Sequence, residues 1–472
     1  MYFMNFLIKN GVFLDTETGT WIHSNLAIIG GKIAETPLPH KSKNYRIIDA
    51  KDCLITPGLI DYHTHYYEGG SENGVNPDAT SFCTGITTAV DAGTTGAGGY
   101  ELYYKTIISM SDVRILNWLL VASGGQSNNR YPENLDPKYF DEEKIMSLFK
   151  RYGHNLVGLK TRLSKNILSA GMARISLKKT IEIADCIGTR VVVHVTDSPI
   201  PLDELASYLR PGDVICHIFH GKGKHTCLDK DGHVLKGLWE ARRRGVLFDA
   251  CNGRSNFDLV VAQKAVQEGF VPDIISSDNN ASSWFLQPLH SLPRILSKYV
   301  DFGMSLESVL LTATKKPAHL IGHPELGTLK VGTPADLVIF KDKRKQVPYE
   351  DCNGHTFIGQ LFHQIQHFAN HLRVQSGCRF IKQHNLRIHR QTSHDGDTLF
   401  LSAGDLGRIG VRLFSSPSRF KSSTAFLSAP SFGMILSLPG GSLILSLTCR
   451  WGNQLKLLNH ITHFRRNRIT FF

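Results

Sequence analysis

No run of about 18 consecutive apolar residues occurs anywhere in the 472-residue chain, so no membrane-spanning helix is expected. The opening residues, Met1-Tyr2-Phe3-Met4-Asn5-Phe6-Leu7-Ile8-Lys9, lack the charged start, long apolar core and small-residue cleavage site of a secretory signal. The cytoplasm is therefore the expected location. Paired cysteines are lacking too. The nine cysteines are scattered, their number is odd, and no CxxC occurs. That excludes a disulfide scaffold and points to reduced thiols. Cys216 and Cys251 lie in apolar, strand-like runs and read as packing residues. No internal repeat is visible.

Charge imbalance is missing from most of the chain. The net charge of +12 is concentrated at the end: residues Gly359 to Phe472 carry 14 Lys/Arg against 3 Asp/Glu, leaving 39 and 38 for the rest. A basic whole-chain average is then no sign of nucleic-acid binding by the main body, and none is expected there. The tail, 359–472, has eight histidines, many serines and little periodicity. It resembles translation past a frameshift. It is expected to be disordered or frameshift-derived, with brief helical or strand-like pieces such as Met434–Leu438. A basic RNA- or membrane-binding extension is the rival reading.

With 42% hydrophobic and 20% charged residues, the chain suits one large globular domain plus a smaller one. Residues 1–56 read as short strands with turns, and Gly30-Gly31 between apolar runs is a hairpin signal. From 57 to 322, apolar runs alternate with helical segments. The runs are Leu59–His63, Ile86–Asp91, Ile115–Val121, Leu156–Lys160, Arg190–Val195, Val214–Ile218, Val246–Ala250 and Asp273–Ser277. Helical candidates include Leu177–Cys186, Leu259–Glu268 and Leu306–Thr314. Eight alternations of this length predict an α/β fold, a (β/α)8 barrel. Residues 326–341 return to β and are expected to rejoin the first strands. The expected division is a small β-sandwich from 1–56 plus 323–358, the barrel from 57–322, and the tail.

The chemistry gathers at the ends of the barrel runs, where such barrels build their sites. His63 and His65, one residue apart on a strand, can aim two imidazoles at one point, as a metal needs. Lys160, His194, His217 and Asp278 end the fourth, fifth, sixth and eighth runs. Each has an ordinary reading alone. A lysine after Gly-Leu is usually a surface cation, and an aspartate after Ser-Ser usually caps a helix. Ligand-type groups at five of eight strand ends make a metal site the better reading. Arg162 reads either as a grip for an acidic substrate or as a structural ion pair. His220 and Asn252 are further candidate substrate contacts.

The chain resembles the amidohydrolase superfamily. Thr56-Pro57-Gly58-Leu59-Ile60-Asp61-Tyr62-His63-Thr64-His65 is similar to its PG-hydrophobic-IDxHxH signature. Lys330-Val331-Gly332-Thr333-Pro334-Ala335-Asp336-Leu337-Val338 is similar to its closing G-x-x-A-D-hydrophobic-V motif. The blocks Asp91–Ala97, Val157–Lys160 and His217–Gly221 resemble the amidohydrolase/deacetylase branch, relatives of the dihydroorotases. The resemblance implies a binuclear hydrolase. His63 and His65 would bind one metal, and His194 and His217 the other. A carboxylated Lys160, a carbamate made from CO2, would bridge them, and Asp278 would bind metal and act as base. It implies hydrolysis of an amide, cyclic amide or acyl ester of a small acidic substrate. Zinc is the expected metal, though manganese, cobalt and iron suit the same ligands. Dihydroorotases resemble HxHxR, whereas Tyr66-Tyr67 follow His65 here. A dihydroorotase-like cyclic amidase and a non-catalytic scaffold are the alternatives. The partner expected is a small molecule, with homo-oligomerisation left open.

Overall fold

A computed structural model describes residues 5–36, 45–285, 290–365, 424–428, 431–438 and 441–447. Two units are distinguished, Met1–Val374 and Gln375–Phe472. The first opens with β1 (Asn5–Asp15), β2 (Thr20–Ile29), β3 (Lys32–Ala34), β4 (Tyr45–Asp49) and β5 (Cys53–Pro57). Then come β6 (Leu59–Thr64), β7 (Ile86–Gly96), β8 (Arg114–Leu120), β9 (Leu156–Arg162), β10 (Arg190–His194), β11 (Val214–Cys216) and β12 (Leu247–Asp249). It ends with β13 (Leu337–Glu350) and β14 (Thr356–Ile365).

Strands β6 to β12 lie side by side in chain order as one parallel sheet of seven. Helices separate most of them, as parallel neighbours require. The longest, Ala170–Ile187, starts under a Ser169 side chain that accepts from Met172 N–H and stops at Gly188, which takes the left-handed φ of 75° that ends helices cheaply. All eleven residues of β7 are buried, as expected of a strand covered on both faces. One face of the sheet carries a cluster including Ile60, Tyr62, Val90, Trp118, Val192 and Val214, and the other packs against the helices.

The predicted eighth run forms no long ladder. Instead, single bridges tie it to both edges of the sheet: Ile274 to Asp249 on β12, and Asn279 to Thr64 on β6. Side chains supplement those sparse backbone bonds. Asp61 accepts from Ser277 N–H (3.0 Å) and from the Ser277 hydroxyl, and Asp249 accepts from the Ser276 hydroxyl (2.7 and 2.8 Å). Burial pushes both carboxyls up to about 7.

The strands outside this sheet form a second, mixed sheet in the order β14-β13-β5-β1-β2-β3, with β4 also on β1. β13 pairs antiparallel with β5, so residues after the helical region do return to the first strands. Hydrogen bonding joins these strands, which were expected to form a small β-sandwich, in one continuous order. A register shift between Ile8 and Gly11 bends β1, so its first half pairs with β4 and its second half with β5. β14 carries this sheet to Ile365, past the expected tail boundary at 359.

The tip between β13 and β14 reaches the loop after β12. Asp351 accepts from Leu259 N–H (2.8 Å), Asn353 donates to Asp258 (2.6 Å), and His355 Nδ1 lies 2.8 Å from Asp351 and 3.5 Å from Asp258. Asp351 raises the His355 pKa above its ordinary value. A raised folded-state pKa stabilises fully below the unfolded value, and that stabilisation fades as pH rises through the raised one. This part-exposed pair is worth at most about 1 kcal/mol. His355→Gln should therefore lower the thermal midpoint at slightly acidic pH and leave it nearly unchanged at alkaline pH. A gap that widens as pH rises would contradict this.

In the second unit the described residues form a three-stranded antiparallel sheet of β15 (Thr424–Ser428), β16 (Ser431–Leu438) and β17 (Gly441–Leu447). The expected piece Met434–Leu438 falls in β16. The other expectations for the tail lie outside the described residues. Among the described residues no helix is long and apolar enough to cross a membrane.

Candidate metal centre

Strand alternation alone puts two of the predicted residues in place. Lys160 pairs in register with Val192, whose side chain belongs to the cluster on the inner face, and His194 follows Val192 by two. The histidine pair needs more. Ile60 and Tyr62 face that cluster, so regular alternation would turn His63 away from it. A register shift between Asp61 and Thr64 breaks the alternation and re-aims the strand end. His217 and Asp278 sit just past their strands in left-handed backbone, with φ of 62° and 53°. Such a conformation is uncommon for residues other than glycine and marks a locally dictated turn.

All six predicted ligands are buried. His65 Nε2 is 3.4 Å and His63 Nε2 3.8 Å from Asp278 Oδ1. Lys160 Nζ lies 3.5 Å from His63 Nε2 and 3.4 Å from Cys216 Sγ. The His217 ring lies 5.0 Å from that of His63 and 4.3 Å from that of His194, centre to centre. Donor atoms of His63, His217, Cys251 and Asp278 all fall within 4.8 Å of one another.

The electrostatics suit cation binding. Burial, with the Lys160 ammonium adding to it, holds His63 well below its ordinary pKa. Burial also holds His194 far down and brings His217 to about 3. These imidazoles are neutral at pH 7 and have lone pairs to give. Burial works to raise Asp278, but the hydrogen bond with His65, with the neighbouring imidazoles of His217 and His65, outweighs it, so its carboxyl sits below the ordinary value and is ionised.

A second layer holds these groups. His65 Nδ1 meets the Thr94 hydroxyl (2.8 Å), which donates to Asp91 Oδ2 (2.8 Å). Asp91 also accepts from Thr94 N–H, Tyr66 N–H and Tyr103 OH. Asn256 donates to Asp278 Oδ2 (3.0 Å). His217 Nδ1 stands 2.7 Å from the Cys251 carbonyl, and a carbonyl only accepts, so that nitrogen carries the proton and Nε2 is free. Asp91 and Thr94 lay in a block noted for its resemblance, but nothing in their spacing shows a link to His65. Asn256 carries no sequence signal at all.

The three candidate substrate contacts separate. Arg162 Nη1 is paired with Glu133 (3.2 Å), the structural alternative for that residue. His220 is fully buried, and burial lowers its ring to about 4. Asn252 accepts from Tyr299 OH (2.9 Å) through Oδ1, while its amide nitrogen has no hydrogen-bond partner among the described residues. Cys251 is buried in the inner-face apolar cluster, as its expected packing role has it, and with φ of 35° just past β12 its thiol also lies near donor atoms of His63, His217 and Asp278.

Gly93 shows how closely the site is built. Its φ is 78°, and a Cβ there would stand 2.9 Å from both Cβ and Cγ of Lys160. Gly93→Ala should cost about 1–3 kcal/mol, read as a lower denaturation midpoint, and should displace Lys160. A variant as stable as the wild type would show that the contact relaxes without consequence.

The sequence profile of the Amidohydrolase family matches residues 217–367. A deacetylase of Agrobacterium fabrum is 32% identical over 309 residues, covering 65% of this chain and 75% of the relative. Among solved structures, a dihydroorotase superposes with a TM-score of 0.68 at 29% identity, covering 77% of this chain and 95% of the other. An adenine deaminase superposes with a TM-score of 0.70 at 26% identity, covering 77% and 96%.

Proposed function

This chain belongs to the amidohydrolase superfamily, and from that premise we propose that it is a binuclear-metal hydrolase cleaving an amide, cyclic amide or acyl ester of a small acidic substrate. Hydrolysis of carbon–nitrogen bonds is the activity the family and its relatives indicate. The observation that carries the finer reading is the meeting of four buried imidazoles, Lys160 and an ionised Asp278 at the carboxyl ends of parallel strands. The bridges from Ile274 and Asn279 to both sheet edges support closure into an eight-stranded barrel, whose sites lie at that end.

His63, His65 and Asp278 would hold one divalent ion, and His194 and His217 the other. Lys160, turned by CO2 into an anionic carbamate, would lie between them. When bound, the two cations lower the pKa of a shared water and polarise the scissile carbonyl. Asp278 takes the water's proton and passes it to the leaving group. His65 and Asn256 hold the two oxygens of that carboxylate in place. Thr94 and Asp91 orient His65, and the Asn252 amide offers a donor to a substrate oxygen.

Deacylation is favoured over the dihydroorotase reaction by the residue at 67. Where an HxHxR pattern has a cation, Tyr67 packs against Tyr103, with the rings tilted and their centres 4.7 Å apart. The test is a screen of the zinc-loaded protein against N-acyl and O-acyl acids and cyclic amides, with the released acid measured. Turnover of an N-acyl acid is expected. No turnover in a folded protein holding two metals would favour the scaffold reading.

A further inference from the structure

Cys251 and Cys216 are neighbouring buried thiols, yet they are held differently. Cys216 Sγ donates to the Val193 carbonyl (3.3 Å), the way a packed thiol is satisfied inside a strand. Cys251 Sγ meets His217 Nε2 at 3.7 Å, and shares a space of 4.8 Å with donor atoms of His63, His217 and Asp278. Two atoms bound to one zinc-like ion at about 2.0–2.3 Å stand roughly 3.3–3.8 Å apart at the tetrahedral angle. The 3.7 Å between Cys251 Sγ and His217 Nε2 falls in that range, as do the 3.4 and 3.8 Å from Asp278 to His65 and His63.

Cys251 also orients the imidazole it faces. Its carbonyl takes the proton of His217 Nδ1, which turns Nε2 and its lone pair toward the thiol. Resting on the reading above that this cluster holds divalent metal, we infer that Cys251 is a thiolate ligand of the ion bound by His217. The centre then carries one sulfur beside its nitrogen and oxygen ligands. A thiolate is a soft donor, so it favours zinc or cobalt over manganese or magnesium. Binding displaces the thiol proton to solvent, and no redox partner is needed.

Cobalt(II) reports on sulfur directly, through a near-ultraviolet thiolate-to-metal charge-transfer band. The metal-free full-length protein would be reconstituted with cobalt and its absorption and metal content measured. The band is expected in the wild type, retained in Cys216→Ser, and lost in Cys251→Ser while cobalt remains bound. Zinc affinity in Cys251→Ser should fall by at least the roughly 10–100-fold that losing even an outer-shell partner costs. Cobalt bound without the band in the wild type overturns the thiolate and leaves the metal reading standing. No cobalt bound at all overturns both. If Cys251→Ser fails to fold, Cys216→Ser still decides. The band surviving there assigns it to Cys251, and its loss there overturns the assignment.

Discussion

Asp278→Asn should abolish turnover while leaving the fold intact. Asparagine keeps the shape and one oxygen, so the contact with Asn256 is the main one at risk. What disappears is the charge and the proton acceptor. The carboxylate is held ionised against the cost of burial, chiefly by its hydrogen bond with His65, so it is a base throughout the neutral range. Loss of a positioned general base alone costs about 10²–10⁴-fold in rate. Among the described residues Asp278 is the carboxylate that pairs with His63 and His65, at 3.8 and 3.4 Å, so metal occupancy should fall with the rate. The measurement is kcat/KM beside metal content and thermal midpoint. A variant with near wild-type kcat/KM would remove Asp278 from the proposed mechanism.

Lys160→Ala should cost the centre its bridging ligand, with bound metal falling from about two ions per chain to one or fewer. The side chain is 1% exposed and its Nζ meets His63 Nε2 and Cys216 Sγ. Among the described residues it forms no ion pair. An ammonium buried without an anion is costly, by several kcal/mol. Conversion to a carbamate replaces that cation with an anion between two cations, which removes the conflict. Wild-type protein reconstituted with metal in CO2-depleted buffer should therefore bind poorly and recover when bicarbonate is added. Lys160→Ala should respond to neither. Two ions retained in Lys160→Ala would sink the bridging role, as would a wild type indifferent to bicarbonate.

Much of the fold was legible because its signal is local. Val191-Val192-Val193 can only be a strand covered on both faces, and β10 is one, buried from Val191 to His194. The segment from Leu177 has helical spacing, and the structure extends it back to a serine cap at 169. The eighth run was the hardest to place, because Ile274–Asn279 is held by single bridges and by Asp61 and Asp249 rather than by a ladder. In the second sheet, short alternating strands carry the same sequence pattern whatever their pairing order. Only the bend in β1 decides which partners each half takes.

The sequence by itself determined the residue types at the strand ends, the superfamily, and the alternation that puts Lys160 and His194 on one face. Those follow from periods of two and 3.6 residues and from motif spacing, which a linear chain carries in full. Tertiary structure alone decided the aim of the remaining groups. A bulge turns His63 and His65 inward, and left-handed backbone swings His217, Cys251 and Asp278 to the same point. Glu133 pairs with Arg162, and Asn256 and Thr94 hold ligands from distant segments. These outcomes depend on contacts between residues up to 216 positions apart, as between Asp61 and Ser277. No local period encodes them, because they arise only once burial forces each polar group to find a partner.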